Sequence, residues 1–274
     1  MSRIALISGR GRLPVLLAEA LEGDAPILAE MEGFESAART GGEVVRFRLE
    51  RLVPFLDQLQ GMGVTRAVFA GGVHRPRLDP ALLDPATMQL LPRIMAAMQQ
   101  GDDGTLREVI ALMGEWGIEV VAAQDIRPDL LAGQAGALGA HTPKAQDRED
   151  VTRGAAILRA MGVADVGQGC VVARGQCLGL EALPGTDAML GHLADLRAAG
   201  HPLPEGGVFC KAPKPGQDRR IDMPALGPQS VETAARAGLR GIAFDTGGVL
   251  LLDRAQMIAE ADARGLFLVA TDFA

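Results

Sequence analysis

Apolar positions along this chain repeat with two alternating periods. Residues 4–8 form a short run after Met1-Ser2-Arg3 and read as a strand buried on both faces. Residues 13–21 have helical spacing, with Pro14 just inside the helix, where a missing N–H costs little. Residues 26–29 and 44–47 predict short strands, and residues 52–62 predict a helix stopped at Gly63. A buried strand at 67–70 ends on Gly71-Gly72. Asp102 or Asp103 can cap a helix reaching Trp116, followed by a strand at 118–122. Strands alternating with helices predict a parallel sheet covered on both faces.

The pattern degrades between Arg127 and Thr142 into Gly, Ala, Pro and Leu, which reads as a domain boundary and a hinge candidate. Beyond it, a helix follows Lys144 and runs to Met161, and strands at 169–173 and 176–181 flank Arg174-Gly175 as a hairpin. Thr186 reads as the N-cap of a helix over 187–199. Strands at 207–211, 241–244 and 267–270 alternate with helices at 230–237 and 255–263. Two α/β domains are expected, with a ligand cleft between them.

Composition narrows the function. The 274 residues are 48% hydrophobic and 22% charged, an ordinary globular mix. A net charge of -7 and 3% aromatic residues argue against nucleic acid as a partner. Three cysteines (Cys170, Cys177, Cys210) without a CxxC spacing suit reduced thiols in a cytoplasmic protein. The first apolar run is too short for a signal peptide, and no run reaches the ~18 residues of a membrane span. Of 27 basic residues only three are lysines: Lys144, Lys211 and Lys214. A lysine kept in such a background marks a place that needs a compact point charge.

Four segments can carry chemistry. Gly9-Arg10-Gly11-Arg12-Leu13-Pro14 follows the first strand; such glycines let amides approach a phosphate, although Pro14 breaks the dinucleotide fingerprint. Gly71-Gly72-Val73-His74-Arg75 follows another strand and should lie at the same sheet edge, with His74 a candidate base or a solvated loop residue. Glu181 through Asp187 place a carboxylate at a strand end and a second in the first turn of a helix, where it either faces a site or stabilises the helix. The fourth, residues 209–224, holds Lys211, Lys214, Arg219 and Arg220 with Asp218, Asp222 and three prolines. Lys214 and Arg219 can neutralise phosphates, and Asp218 or Asp222 can hold Mg²⁺ or position water. Two bland or rival readings stand beside these: Cys210 sits in an apolar strand and reads as a structural thiol, and Gly101-Asp102-Asp103-Gly104 is either a metal loop or a helix cap.

Taken in order, GRGRLP at 9–14, AGGVHRP at 70–76, GDDGTLR at 101–107, EALPGTDAML at 181–190 and KAPKPGQDRRIDMP at 211–224 closely resemble the UDP-2,3-diacylglucosamine pyrophosphatase family LpxI of lipid A biosynthesis. The resemblance spans nearly the whole chain. It implies a Rossmann-like parallel-sheet N-terminal domain (1–134) and a second, catalytic α/β domain (135–274), with the ligand cleft between them. It implies Mg²⁺-dependent hydrolysis of UDP-2,3-diacylglucosamine to UMP and 2,3-diacylglucosamine 1-phosphate (lipid X), with water attacking the sugar-side phosphorus. The family's essential aspartate carries over onto Asp222, the metal-binding and catalytic candidate, with Asp218 and Lys214 beside it. Gly9, Arg10, Gly11, Gly71, Gly72, Lys144, Glu181, Thr186, Asp187, Lys211, Gln217, Arg219 and Arg220 are the expected substrate-binding positions. This chain has Ser8-Gly9-Arg10-Gly11 where the family often has Ala-Gly-Gly-Gly. A cytoplasmic location, transient contact with the inner-membrane surface and a homo-oligomer are all compatible with the resemblance. The competing readings are a non-catalytic nucleotide or lipid carrier and a nicotinamide-dependent dehydrogenase.

Overall fold

The computed structural model describes residues 3–73, 78–99 and 101–273 and, at Asp102 and Asp103, the backbone alone. The chain forms two compact units: Met1–Pro128 together with Asp218–Asp222, and Asp129–Gln217 together with Met223–Ala274.

In the first unit the elements are β1 (Arg3–Ser8), α1 (Leu13–Ala20), β2 (Ile27–Met31), β3 (Val44–Phe47), α2 (Leu52–Gly61), β4 (Val64–Ala70), α3 (Pro85–Met98), α4 (Asp102–Glu115), β5 (Glu119–Val121) and α5 (Ala123–Ile126). The sheet order is β3-β2-β1-β4-β5, parallel throughout. Order reverses between β1 and β4, so their carboxyl ends open side by side, where doubly wound sheets collect ligands. Ala5, Ile7, Ile27, Ala29, Val45 and Phe47 share one face and pack with Phe55, Leu56 and Leu59 of α2 and Met113 of α4.

The second unit contains β6 (Gly136–Leu138), α6 (Ala145–Val163), β7 (Gly169–Ala173), β8 (Gln176–Leu180), α7 (Thr186–Ala198), β9 (Val208–Lys211), β10 (Ala225–Leu226), α8 (Pro228–Arg236), β11 (Gly241–Asp245), β12 (Leu250–Leu251), α9 (Arg254–Ala263) and β13 (Phe267–Thr271). Its main sheet runs β6-β13-β11-β9-β7-β8, and β10 pairs with β12 apart from it. Strands β9, β11 and β13 are parallel, whereas β6 and β7 run antiparallel to their neighbours. Alternation divides the core. Val171, Phe209, Ile242 and Phe244 face α7, α8 and α9, while Cys170, Cys210 and Ala243 face α6. Gly154 of α6 lies against the Cys210 thiol, closer than a Cβ would permit, which lets the helix settle onto the sheet.

The predicted elements are present with ends shifted by up to three residues, and two capping expectations are corrected. Helix α3 has no counterpart in the sequence pattern. The stretch at 127–142, within which the two units divide, also contributes β6, an edge strand against β13. Gly101, at φ 92°, takes the N-cap of α4, and Asp102 is the first helical residue. Gly185, at φ 86°, takes the N-cap of α7, so Thr186 is not a cap.

Candidate active site

Strands β8 and β9 both run antiparallel to β7, so they end at the same edge of the sheet. Glu181 follows the end of β8, and Lys211 closes β9. Between them stands Thr186, the first residue of α7. The Lys211 ammonium donates to Thr186 Oγ1 at 2.6 Å, and that hydroxyl donates to Glu181 Oε2 at 2.6 Å. Lys211 Nζ is 3.6 Å from the same carboxylate oxygen. Lys211 is only 7% exposed. A charge so buried persists only when paired and hydrogen-bonded, which is the reason for this chain of three groups. The ammonium has three N–H donors, so Thr186 does not exhaust it.

The loop after Lys211 is shaped by its own residues. Gln217 N–H donates to the Lys214 carbonyl at 3.2 Å, and Lys214 N–H donates to Gln217 Oε1 at 3.0 Å. Pro215 fits the second position of this turn and Gly216, at φ 76°, its third, the arrangement of a type II turn. Gln217 is therefore a buried residue that closes the turn. The Lys214 ammonium pairs with Asp165 beyond the end of α6.

Asp218, Arg219, Arg220 and Asp222 belong to the first unit. Asp218 binds Arg220 in a fork, Nε to Oδ1 at 3.0 Å and Nη2 to Oδ2 at 2.6 Å. This guanidinium holds the Asp218 carboxyl below the usual carboxylate range. The Arg219 carbonyl accepts from Gln124 Nε2 at 3.2 Å, and Ile221 packs against the first unit's core. Asp222 is exposed, as are Arg219 and Arg220.

The two glycine turns of the first unit are tied to one another. Arg10 N–H donates to the Gly72 carbonyl at 3.0 Å, and Gly72 N–H returns to Arg10 at 2.9 Å. A Cβ on Gly9 would stand 2.6 Å from the Gly72 oxygen, and one on Gly71 would stand 2.5 Å from the Arg10 oxygen. Gly9 and Gly71 thus serve close backbone packing, and the amides of Arg10 and Gly72 are already engaged. Gly11, at φ 105°, has open space beside it. The Arg10 guanidinium donates to the Gly33 carbonyl at 3.0 Å and lies 5.6 Å from the Phe34 ring centroid.

Lys144 is exposed at the N-cap of α6, where its backbone N–H donates to Asp147 Oδ2 at 2.8 Å. Asp187 is exposed in the first turn of α7. Cys210 is buried, and the adjacent Cys170 thiol together with burial pushes its thiol well above the ordinary range, as suits an inert core residue. His74 and the side chains of Asp102 and Asp103 lie outside the described residues. Among the described residues no group of three or more His, Cys, Asp or Glu is arranged around a metal position. None of their helices is long and apolar enough to cross a membrane.

One strand end passed unnoticed in the sequence. Phe244 of β11 is the register partner of Lys211, so Asp245 and Thr246 emerge beside the lysine's strand. Thr246 Oγ1 is buried without a hydrogen-bond partner among the described residues. The signal was available: a polar Asp-Thr-Gly-Gly sequence directly after a buried parallel strand.

This is an α/β protein of two units, the second of which brings a buried lysine, a hydroxyl and a carboxylate together where β8 and β9 end. Residues 3–130 match the model of the LpxI N-terminal domain, and residues 134–269 that of the LpxI C-terminal domain. The chain is 34% identical over 276 residues to a Caulobacter vibrioides protein named UDP-2,3-diacylglucosamine pyrophosphatase LpxI, covering 99% of this chain and 98% of that one. The chain belongs to the LpxI family.

Proposed function

We propose that this protein hydrolyses the pyrophosphate of UDP-2,3-diacylglucosamine, giving UMP and 2,3-diacylglucosamine 1-phosphate. The observation that carries this reading within the family is the buried Lys211–Thr186–Glu181 chain. It is a preorganised positive group at a strand end, and it needs no reorganisation when phosphate charge develops. Water adds to one phosphorus, the anhydride P–O bond breaks, and the bridging oxygen leaves with the bonding pair on the departing phosphate. The proton of the attacking water leaves to solvent, and Asp222 is the candidate that orients this water or holds the metal. Lys211 holds phosphoryl oxygen through its remaining N–H donors, and Glu181, through Thr186, fixes the direction of that ammonium. Lys214, in the same unit as Lys211, adds charge from the loop that follows it.

The residues present fit Mg²⁺. This ion takes one or two carboxylates and fills its other positions with water and substrate phosphate, so an exposed Asp222 suffices without a preformed cage. Bound there, it would polarise a phosphoryl oxygen and offset charge on the leaving phosphate.

The test is UMP release from UDP-2,3-diacylglucosamine with Mg²⁺, with and without EDTA, in ¹⁸O-water. UMP appearing only with the metal, and ¹⁸O in the sugar phosphate, supports the reading. Binding without UMP release would instead make the protein a carrier. Asp222→Ala is expected to lose about 100-fold or more in kcat while still retaining substrate. Turnover at the wild-type rate would remove Asp222 from the chemistry.

A further inference from the structure

The connection from β2 to β3, residues 32–43, contains no helix. Parallel neighbours are usually joined by a crossover helix that covers one face of the sheet. Here its absence leaves an opening of about 630 Å³ over edge strand β3 and its neighbour β2. Leu28 and Glu30 line it from β2, Val44 and Arg46 from β3, and Glu35, Ser36 and Arg39 from the connection. Leu28 stands beside Val44 and Glu30 beside Arg46, so these four share a face. It is the opposite face from the one whose residues pack on α2 and α4. The volume is that of a small-molecule site.

Glu30 sets the chemistry. It is 5% exposed, yet its recorded partners are distant. Ser36 N–H lies 3.4 Å away and Arg46 Nε 3.9 Å. A carboxylate has about four lone-pair sites, so capacity remains for hydroxyl donors. Its place in the sheet is equally telling. Glu30 is the register partner of Ser8, the residue just before the first glycine turn. Arg10 of that turn reaches the Gly33 carbonyl, joining the turn to the connection that walls the opening. In doubly wound sheets that bind dinucleotides, an acid about 20 residues beyond the first glycine turn accepts from a ribose hydroxyl, while the phosphate rests at that turn.

We propose that this opening is a ribose subsite for a ribonucleoside 5′-phosphate. Glu30 accepts from the 2′- and 3′-hydroxyls, and the open side of Gly11 and the Arg10 guanidinium face the phosphate. The proposal concerns binding alone, so it stands or falls separately from the hydrolytic reading.

Calorimetric titration of the full-length protein with UMP, 2′-deoxy-UMP and AMP tests it. The ribonucleotide should bind about ten-fold or more tightly than its 2′-deoxy analogue, the loss expected when a carboxylate loses a hydroxyl partner. Glu30→Gln should abolish that preference. Val44→Trp, at a half-exposed edge position, should fill the opening and weaken every nucleotide without altering a buried polar group. A preference for UMP assigns the ribose to a uridine ligand and a preference for AMP to a separate adenine nucleotide; both uphold the subsite. No nucleotide binding, equal affinity for ribo and deoxy forms, or wild-type affinity in both variants would overturn it.

Discussion

Thr186 shows how one hydroxyl can decide what two charged groups do. Without it, Lys211 Nζ and Glu181 Oε2 face each other at 3.6 Å, too far for a strong hydrogen bond. Thr186→Val keeps the shape and removes the bridge. The expected result is a fall in kcat of about ten-fold or more with a stability loss of only about 1–2 kcal/mol, and recovery in Thr186→Ser. UMP-release kinetics and urea midpoints would separate the two effects. Asp218 makes a different prediction. Its carboxyl is held low by the Arg220 fork, so its folded value lies below its unfolded one. Its contribution to stability is therefore present above the ordinary value of about 4 and lost only as pH falls through the lowered value. Arg220→Met should move the Asp218 titration upward towards the ordinary carboxylate range, as read by NMR of the carboxyl carbon. No movement would mean the fork does not form in solution.

At the scale of elements, the β7–β8 hairpin depends on a helix. Arg174 and Gly175 both have positive φ, at 51° and 76°, as a two-residue turn of this hand requires. Their N–H groups donate to Asp150 of α6 at 3.0 and 2.7 Å, and Asp150 is 2% exposed. Asp150→Ala leaves both amides without that acceptor and should cost about 2–4 kcal/mol, visible as a lower urea midpoint; an unchanged midpoint would refute the capping role. The hairpin itself was legible, because Arg-Gly between two apolar runs is a local signal. Helix α3 was not. Pro92 inside it reads as a breaker, and its apolar Met88 and Met95 are 52% and 59% exposed, so they mark no buried stripe. Thr186 was misread for a related reason. A Thr before a helical run looks like a cap, but its hydroxyl is taken by a lysine 25 residues away, and only the fold brings that lysine near.

For the whole molecule, chain order and structural membership part company in one loop. Lys211 to Gln217 belong to the second unit, Asp218–Asp222 to the first, and the chain returns to the second at Met223. A linear reading sees one charged loop and cannot tell that Asp222 is carried by different neighbours from Lys211. Nor could the net charge of -7 show that the basic residues concentrate here. The carriers of Asp222 are identifiable: Ile221 packs against the first unit's core, and Gln124 donates to the Arg219 carbonyl. If these contacts matter because they place the Asp222 carboxylate, weakening them should act through that group alone. Ile221→Ala should then lower kcat about ten-fold with little change in KM. Added to Asp222→Asn, it should cost nothing further, because a misplaced group that no longer functions cannot be harmed twice. Measured kcat values for the two single variants and the double variant decide this. Multiplicative losses would show that Ile221 supports the fold generally; a double variant as active as Asp222→Asn alone would make it a positioning residue for the reaction.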